Sequence, residues 1–409
     1  MLAVYFIAIL DFSLVLMSMG NGIKLFGEPS IREPDFDLET IVDGLSRPTG
    51  ISFIGQMDFL VTEEDTGKVK RVNDEGITQT ILDLAVSTDD SRGLIGIDSV
   101  KNMNKIFVFL YFTESASGMD GGAPLGNRLY RYELDLNNNS LINPKLLLDL
   151  PTGPGSKDNG GPVLIGPDNN VYVVIGHVAD DNDNGHETRA QNFENGPEAD
   201  GTSGIHRVTQ NGNVVAEGIL GSAAPLSTYY AYGIRNSFGM DFDPETGKLW
   251  ITENGVYSSD EINLVEPGFN DGWKDLTGLA PPNFDYSGLV TFGGKGRYSD
   301  PEFVWNDTVA PTALLFFNSS RFGPEYKNDI FVGDYEYGRI YHFDLNSERD
   351  ALQLNGSLAD KVADSDSELQ NNIFGEGFGI PTDLEMDPDG RLYISSWKDG
   401  IVYRLSRVE

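Results

Sequence analysis

The chain of 409 residues contains no cysteine. This absence excludes disulfide bonds, thiol catalysis and zinc sites built on cysteine ligands. Basic residues are also scarce: there are 29 Lys and Arg against 63 Asp and Glu, which gives a formal net charge of −34. Such an acidic chain lacks the clustered cations that bind phosphate, so the composition predicts no nucleic-acid partner and no binding to an anionic membrane surface.

Long apolar runs are absent after the N-terminus. Residues 2–19 form an 18-residue run that is interrupted only by Asp11 and two serines. This length lies between that of a signal-peptide core and that of a membrane span. We therefore predict that residues 1–22 are a signal peptide or N-terminal membrane anchor and that residues 23–37 are a linker. The protein is then expected to be extracytoplasmic, either secreted or membrane-anchored with its globular part outside.

Four Asn-X-Ser/Thr tripeptides support that location. They begin at Asn138, Asn306, Asn318 and Asn355, each in a polar turn between predicted strands. Such turns can carry a glycan in an exported protein, although tripeptides this short also arise by chance. We therefore expect the protein to be a glycoprotein.

The stretch from Asp158 to His177 contains the unit that the chain repeats. A Gly160-Gly161 pair leads into the apolar run Val163 to Ile165. A Pro-Asp-Asn-Asn turn and a β-branched, aromatic run, Val171 to Ile175, then follow. This order predicts a strand, a tight hairpin and a second strand. Two short strands cannot bury both of their faces, so the hairpin requires neighbours of its own kind.

Five further stretches repeat that order, so six units recur at intervals of roughly 45 to 75 residues. They begin near Pro48, Gly93, Arg235, Pro311 and Pro381. We predict an all-β, six-bladed β-propeller of four-stranded antiparallel blades over residues 38–409, with Leu38 to Leu45 adding a strand to the last blade and closing the ring. Another all-β form, such as a sandwich, is the alternative.

An acidic loop offers a candidate metal site. Asp180, Asn182, Asn184 and Gly185 match the first half of a calcium-binding loop, but the twelfth position is Gln191 and not the bidentate Glu that calcium loops use. The alternatives are a weak calcium site and an ordinary Asx-rich turn.

Several motifs resemble those of the glucose/sorbosone dehydrogenase family. The residues that carry the likeness are Arg92 to Gly96, Asn159 to Gly161, Gly233 to Gly239, Leu249 to Gly255, Asp260 to Asn263 and Gly268 to Trp273. The resemblance implies an exported six-bladed propeller that oxidises aldoses with pyrroloquinoline quinone (PQQ) and calcium.

The resemblance also implies roles for individual residues. Asp158 stands where the family has its catalytic His, and we expect it to be the base. Arg235, the second expected catalytic residue, and Asn236 match the pair that clamps the cofactor. The other expected cofactor-binding residues are Asn159, Gly160, Ser91 and Arg339. Gly255 and Val256 stand where backbone carbonyls of the family hold the metal.

Two functional hypotheses follow from this resemblance. The first is a PQQ-dependent dehydrogenase that transfers hydride from a sugar hydroxyl to the quinone. The second is a propeller that has lost redox chemistry and binds a glycan or a protein, because Glu336 stands where the family places a cofactor-binding Lys. Calcium-dependent hydrolysis is a third and weaker possibility.

Overall fold

The computed structural model describes residues 27–73, 75–153, 155–178 and 187–408. These residues form six β-sheets and four 3₁₀ helices, which are Arg189–Gln191, Tyr286–Gly288, Gly356–Asp360 and Asp366–Leu369. No helix within this part of the chain is long and apolar enough to cross a membrane. The predicted signal peptide or anchor and the candidate calcium ligands Asp180, Asn182 and Asn184 lie outside the described residues.

The strands are numbered in chain order. The first ten are β1 (Ser30–Ile31), β2 (Phe36–Val42), β3 (Pro48–Gly55), β4 (Asp58–Glu63), β5 (Lys68–Val72), β6 (Thr78–Asp83), β7 (Leu94–Asn102), β8 (Lys105–Ser115), β9 (Pro124–Asp135) and β10 (Ser140–Leu150). The next ten are β11 (Val163–Ile165), β12 (Asn170–Ile175), β13 (Gly204–Thr209), β14 (Tyr229–Tyr232), β15 (Met240–Phe242), β16 (Leu249–Glu253), β17 (Ser258–Val265), β18 (Phe269–Asn270), β19 (Arg297–Tyr298) and β20 (Phe303–Asp307). The last eight are β21 (Pro311–Phe316), β22 (Ile330–Asp334), β23 (Ile340–Phe343), β24 (Val362–Ala363), β25 (Ile373–Glu376), β26 (Pro381–Met386), β27 (Leu392–Ser396) and β28 (Ile401–Arg407).

Each sheet has a core of four antiparallel strands. In order around the ring these cores are β3-β4-β5-β6, β7-β8-β9-β10, β11-β12-β13-β14, β15-β16-β17-β20, β21-β22-β23-β25 and β26-β27-β28-β2. Three sheets carry extra strands at one edge. Strands β18 and β19 extend the third sheet, β24 extends the fourth, and β1 extends the fifth. The first strands of successive sheets lie side by side, and β26 returns to β3. The structure therefore confirms an all-β propeller with four-stranded blades.

The N-terminal part of the described chain closes the ring, as the sequence predicts. Strand β2 pairs antiparallel with β28, which places Leu38 opposite Leu405. The predicted linker is shorter than expected, because β1 pairs with β25 and β2 already begins at Phe36. Both strands form because they bury apolar side chains. Ile31 of β1 and Phe36 of β2 pack against the hydrophobic core between the fifth and last sheets.

Three carboxylates connect neighbouring sheets inside the channel. Asp98 Oδ2 accepts from the backbone N–H of Ile165 at 2.6 Å, and Asp241 Oδ2 accepts from that of Phe316 at 2.7 Å. Asp383 Oδ2 accepts from the N–H of Ile51 at 2.6 Å, so the last sheet is held to the first in the same way. Every second inner strand thus clamps the next one around the ring.

These clamps place negative charge in a confined space. The three aspartates line a cavity of 320 Å³ in one half of the channel. Burial raises the pKa of Asp98 to about 6. Burial, together with repulsion from the other carboxylates of the group, raises the pKa values of Asp241 and Asp383 to about 7. Their hydrogen bonds to backbone N–H groups act in the opposite direction.

We predict that the clamps make the protein less stable as pH rises. A carboxyl whose pKa is raised in the folded state binds more protons there than in the unfolded chain, so its contribution is lost between about pH 4 and pH 7. Melting temperatures measured from pH 4.5 to pH 8 should therefore fall, and Asp98→Asn or Asp241→Asn, which keep an acceptor oxygen, should reduce the slope. The same change at exposed Asp83 is the control, and equal slopes in all variants would contradict the assignment.

Candidate active site at one mouth of the channel

Three loops meet at one mouth of the channel, and they connect β10 to β11, β12 to β13 and β14 to β15. Asp158 precedes β11, His177 follows β12, and Arg235 precedes β15. Backbone hydrogen bonds join these segments: His177 N donates to Arg235 O at 2.9 Å, and Val178 N donates to Asp158 O at 3.3 Å. Gly176 permits this approach, because a Cβ there would clash with the backbone oxygens of Asp158 and Arg235.

The Asp158 carboxylate is the centre of the site. Its side chain is only 6% exposed, and its backbone is in the left-handed region with φ of 58°. Oδ2 lies 3.2 Å from His177 Nδ1 and 3.4 Å from Arg235 Nη2. A buried carboxylate between an imidazole and a guanidinium is held in one orientation and has its charge compensated.

Trp273 fixes the two partners of Asp158. Its ring lies edge-on to His177 at 5.1 Å between centroids, and the Arg235 guanidinium lies 5.6 Å from its centroid. Arg235 Nη1 also donates to Asn254 O at 3.1 Å. Sequence reasoning missed His177. The sequence signal that could have found His177 is its position just after the buried strand β12. Asn254 likewise comes just after a buried strand, β16.

A buried glutamate supports the loop from behind. Glu253 Oε1 accepts from the backbone N–H of Arg235 at 2.8 Å and from that of Asn236 at 2.6 Å. The Asn236 side chain lines the mouth, and its Oδ1 is buried with no hydrogen-bond partner among the described residues. An unpartnered buried acceptor beside a cavity is available for a hydrogen bond from a ligand or a water molecule.

The mouth opens into a cavity of 570 Å³. All six sheets contribute to its wall, through residues that include Thr49, Ser91, Asp158, Asn236, Thr312 and Thr382. The charged residues in the wall are Arg47, Lys157, Glu64, Asp90 and Asp158. The cavity has the size and polarity of a small-molecule site.

Blade one and the last blade meet in this wall. Trp397 Nε1 donates to Glu64 Oε2 at 2.6 Å, and the Arg47 guanidinium stacks over the Trp397 ring at 4.5 Å. Burial raises the pKa of Glu64 to about 7, while the bond from Trp397 lowers it. Trp397 lies in the cavity wall, whereas Trp250 is fully buried in the core.

A second acidic cluster, formed by Glu253, Glu261 and Asp271, lies beside the loop that contains Arg235 and Asn236. Burial raises the pKa values of all three carboxyls, that of Glu261 to about 7. Repulsion from Glu261 adds to the shifts of Glu253 and Asp271, whereas the repulsion that acts on Glu261 comes from Asp260. Three buried oxygens have no hydrogen-bond partner among the described residues: Glu253 Oε2, Asp271 Oδ1 and the neighbouring Asn263 Oδ1. Hard oxygen donors without partners fit a calcium ion.

The structure separates the other predicted site residues into two groups. Ser91 lines the cavity with Asp158 and Asn236. Gly255 and Val256 follow Glu253 next to the acidic cluster, and Gly255 N donates to Asp260 Oδ1 at 2.9 Å.

The remaining residues are not in the cavity lining. The amide of Asn159 is buried and donates to Ser156 O at 2.6 Å, so it holds the loop. Gly160 has φ of 86°, and a Cβ there would clash with the backbone of β12, so the glycine makes room for that strand. Arg339 pairs with Asp366 and stacks on Tyr337 at 4.5 Å.

The fold and this mouth define a propeller with a polar small-molecule site. Known proteins are similar to this chain in sequence. The sequence profile described as Glucose / Sorbosone dehydrogenase matches residues 45–404. The chain is 30% identical to quinoprotein glucose dehydrogenase B of Acinetobacter calcoaceticus over 324 residues, which cover 70% of this chain and 66% of that protein. It is 29% identical to aldose sugar dehydrogenase YliI of Escherichia coli over 193 residues, 46% of each chain.

The fold is similar to that of the PQQ-bound aldose sugar dehydrogenase of Streptomyces coelicolor. The TM-score is 0.67 at 20% identity, covering 92% of this chain and 99% of that one. The protein belongs to the glucose/sorbosone dehydrogenase family.

We predict that calcium stabilises the protein through the acidic cluster. Calcium at about 100 times its Kd stabilises the folded state by about 2.7 kcal/mol, so the melting temperature should rise on addition of calcium. Glu261→Gln and Asp271→Asn should abolish that rise and, without calcium, should melt no lower than the wild type because each removes a buried repulsive charge.

The loop variant Asp180→Ala/Asn182→Ala is the control, and it should keep the full response. A response lost in the loop variant but kept in Glu261→Gln would place the calcium in the loop.

Proposed function

We propose that the protein is a PQQ-dependent sugar dehydrogenase, built as one six-bladed ring in which each sheet is one blade. The observation that carries the proposal is the compensated carboxylate of Asp158, held by His177 and Arg235 in the wall of a 570 Å³ cavity. Membership of the glucose/sorbosone dehydrogenase family supports the reaction class.

The residues around the cavity suit an anionic quinone. PQQ carries three carboxylates, and three cationic side chains border the site: Arg47 and Lys157 in the wall and Arg235 behind Asp158. The unpartnered Oδ1 of Asn236 can accept from a donor of the cofactor or sugar. Arg47 and Lys157 thus take the place that we expected Arg339 to fill. The chemistry that the quinone supplies when bound is acceptance of a hydride from the sugar carbon.

Asp158 accepts the proton of the sugar hydroxyl in this proposal. Its Oδ2 is buried against His177 and Arg235, which leaves Oδ1 for the substrate. His177 acts as a positioning residue, because its buried imidazole lies 3.2 Å from Oδ2 and limits the orientations open to the carboxylate. The positive charge of Arg235 stabilises the negative charge that develops on the sugar oxygen as the hydroxyl proton leaves.

An extracytoplasmic location remains part of the proposal. The four glycosylation asparagines Asn138, Asn306, Asn318 and Asn355 are all exposed, as a modified residue must be. Cell fractionation and the N-terminal sequence of the mature protein test it. A full-length protein in the cytosol would oppose export.

We expect Asp158→Asn to lower kcat by about 10²–10⁴-fold, the usual contribution of a general base, with little loss of quinone binding. His177→Gln should lower kcat less and change the pH profile. The exchange Asp158→His/His177→Asp keeps one imidazole and one carboxylate in contact and should recover activity relative to Asp158→Asn. Steady-state assays with several aldoses and an artificial electron acceptor measure these effects.

Full activity of Asp158→Asn would remove Asp158 from the mechanism. A wild type that binds sugar but never turns over with PQQ and calcium would favour the alternative, a propeller that only binds carbohydrate or protein.

Cofactor affinity gives a separate test. Lys157→Gln removes one charge-assisted contact and should weaken PQQ binding, measured by calorimetry with calcium present, by about tenfold or more. Arg339→Gln, which changes a cation outside the cavity lining, should leave the affinity unchanged. The reverse pattern would show that the quinone lies nearer to Tyr337 and Arg339.

A further inference from the structure

A metal-ligand triad lies on the fifth sheet, away from the mouth. Asp329 precedes β22, His342 is the third residue of β23, and Asp344 follows that strand. Strand β22 runs from Ile330 to Asp334, and the residue after it, Tyr335, lines the cavity, so the five residues of the strand separate the triad from the candidate active site. The ligand atoms of the three side chains lie within 4.8 Å of one another.

Both carboxylates converge on a single nitrogen of the imidazole. His342 Nε2 is 3.1 Å from Asp329 Oδ2 and 3.9 Å from Asp344 Oδ1. One N–H can donate to only one of them, so an ion pair alone leaves the second carboxylate beside a like charge. A divalent cation bound by all three atoms compensates both carboxylates.

The surroundings hold the triad in place. The His342 ring lies against Tyr326 and Phe331 at 4.9 and 5.1 Å between centroids. Its backbone N donates to Asn372 O at 2.7 Å, and Asn372 Nδ2 donates to His342 O at 3.1 Å. Because the ligands stand at strand ends, their spacing is set by the sheet.

The distances suit a small cation. Ligands about 2.0–2.2 Å from a tetrahedral ion are about 3.3 Å apart, which is close to the His342–Asp329 separation. Asp344 Oδ1 is 3.9 Å from His342 Nε2, so it has to approach that nitrogen by roughly half an ångström to match that spacing. Its side chain is 58% exposed, so it can move and leaves an entry path from solvent.

We propose that Asp329, His342 and Asp344 form a binding site for a divalent transition-metal ion such as zinc, with water completing the coordination. One imidazole and two carboxylates form a donor set that zinc accepts. The site is independent of the quinone and calcium sites and stabilises the fifth blade at the face opposite the mouth.

Zinc titration by calorimetry, in excess calcium to fill oxygen-only sites, tests the proposal with the full chain. The wild type should bind one equivalent at micromolar concentration. The variants His342→Gln, Asp329→Asn and Asp344→Asn should each weaken that binding by more than about tenfold. Asp350→Asn changes an exposed carboxylate on a nearby loop and should have no effect. Cobalt should give visible absorption bands in the wild type that His342→Gln lacks.

Two results would overturn the proposal. The first is a wild type that binds no zinc at micromolar concentration. The second is zinc binding that the three variants retain, and its loss in Asp158→Asn alone would then place the ion at the His177 pair. Asp344 is mostly exposed, so Asp344→Asn is expected to fold and keeps the test valid if His342→Gln does not.

Discussion

The closed ring depends on hydrogen bonds from backbone N–H groups to carboxylates of the neighbouring sheet. Asp98, Asp241 and Asp383 each hold the next inner strand, and the last of these bonds joins Asp383 to Ile51 across the ring closure. Without cysteine, the chain has no covalent means of keeping its ends together. These bonds and the pairing of β2 with β28 supply the closure that brings the mouth loops into contact.

The same use of buried acids recurs at the mouth with a different outcome. In the channel, burial raises the pKa values of the carboxylates, although hydrogen bonds from backbone N–H groups act in the opposite direction. Asp158 lies beside the His177 imidazole and the Arg235 guanidinium, and the guanidinium compensates its charge. Glu253, Asp271 and Asn263 each keep a buried oxygen that has no hydrogen-bond partner in the described part of the chain, which suits a metal. The net charge of −34 alone does not distinguish these three environments.

The repeat pattern predicted the propeller because each hairpin is encoded locally. The stretch from Asp158 to His177 became β11 and β12, with the tight turn between them. The resemblance pointed to Asp158, Arg235 and Asn236, which the structure brings together. It did not find His177, Arg47 or Glu64, whose neighbours come from other blades. Gly160, which the resemblance assigns to the cofactor, is outside the cavity lining and makes room for the backbone of β12.

Sequence alone determined the strands, the turns, the repeat and therefore the fold class, because these follow from hydrophobic periodicity and turn chemistry within short segments. Tertiary structure decided which charges meet. Arg339 pairs with Asp366 instead of facing the cavity, Lys157 and Arg47 face it, and the imidazole beside Asp158 comes from position 177. Such contacts join residues that the closed ring alone brings into range, since a charged pair interacts strongly only across a few ångströms.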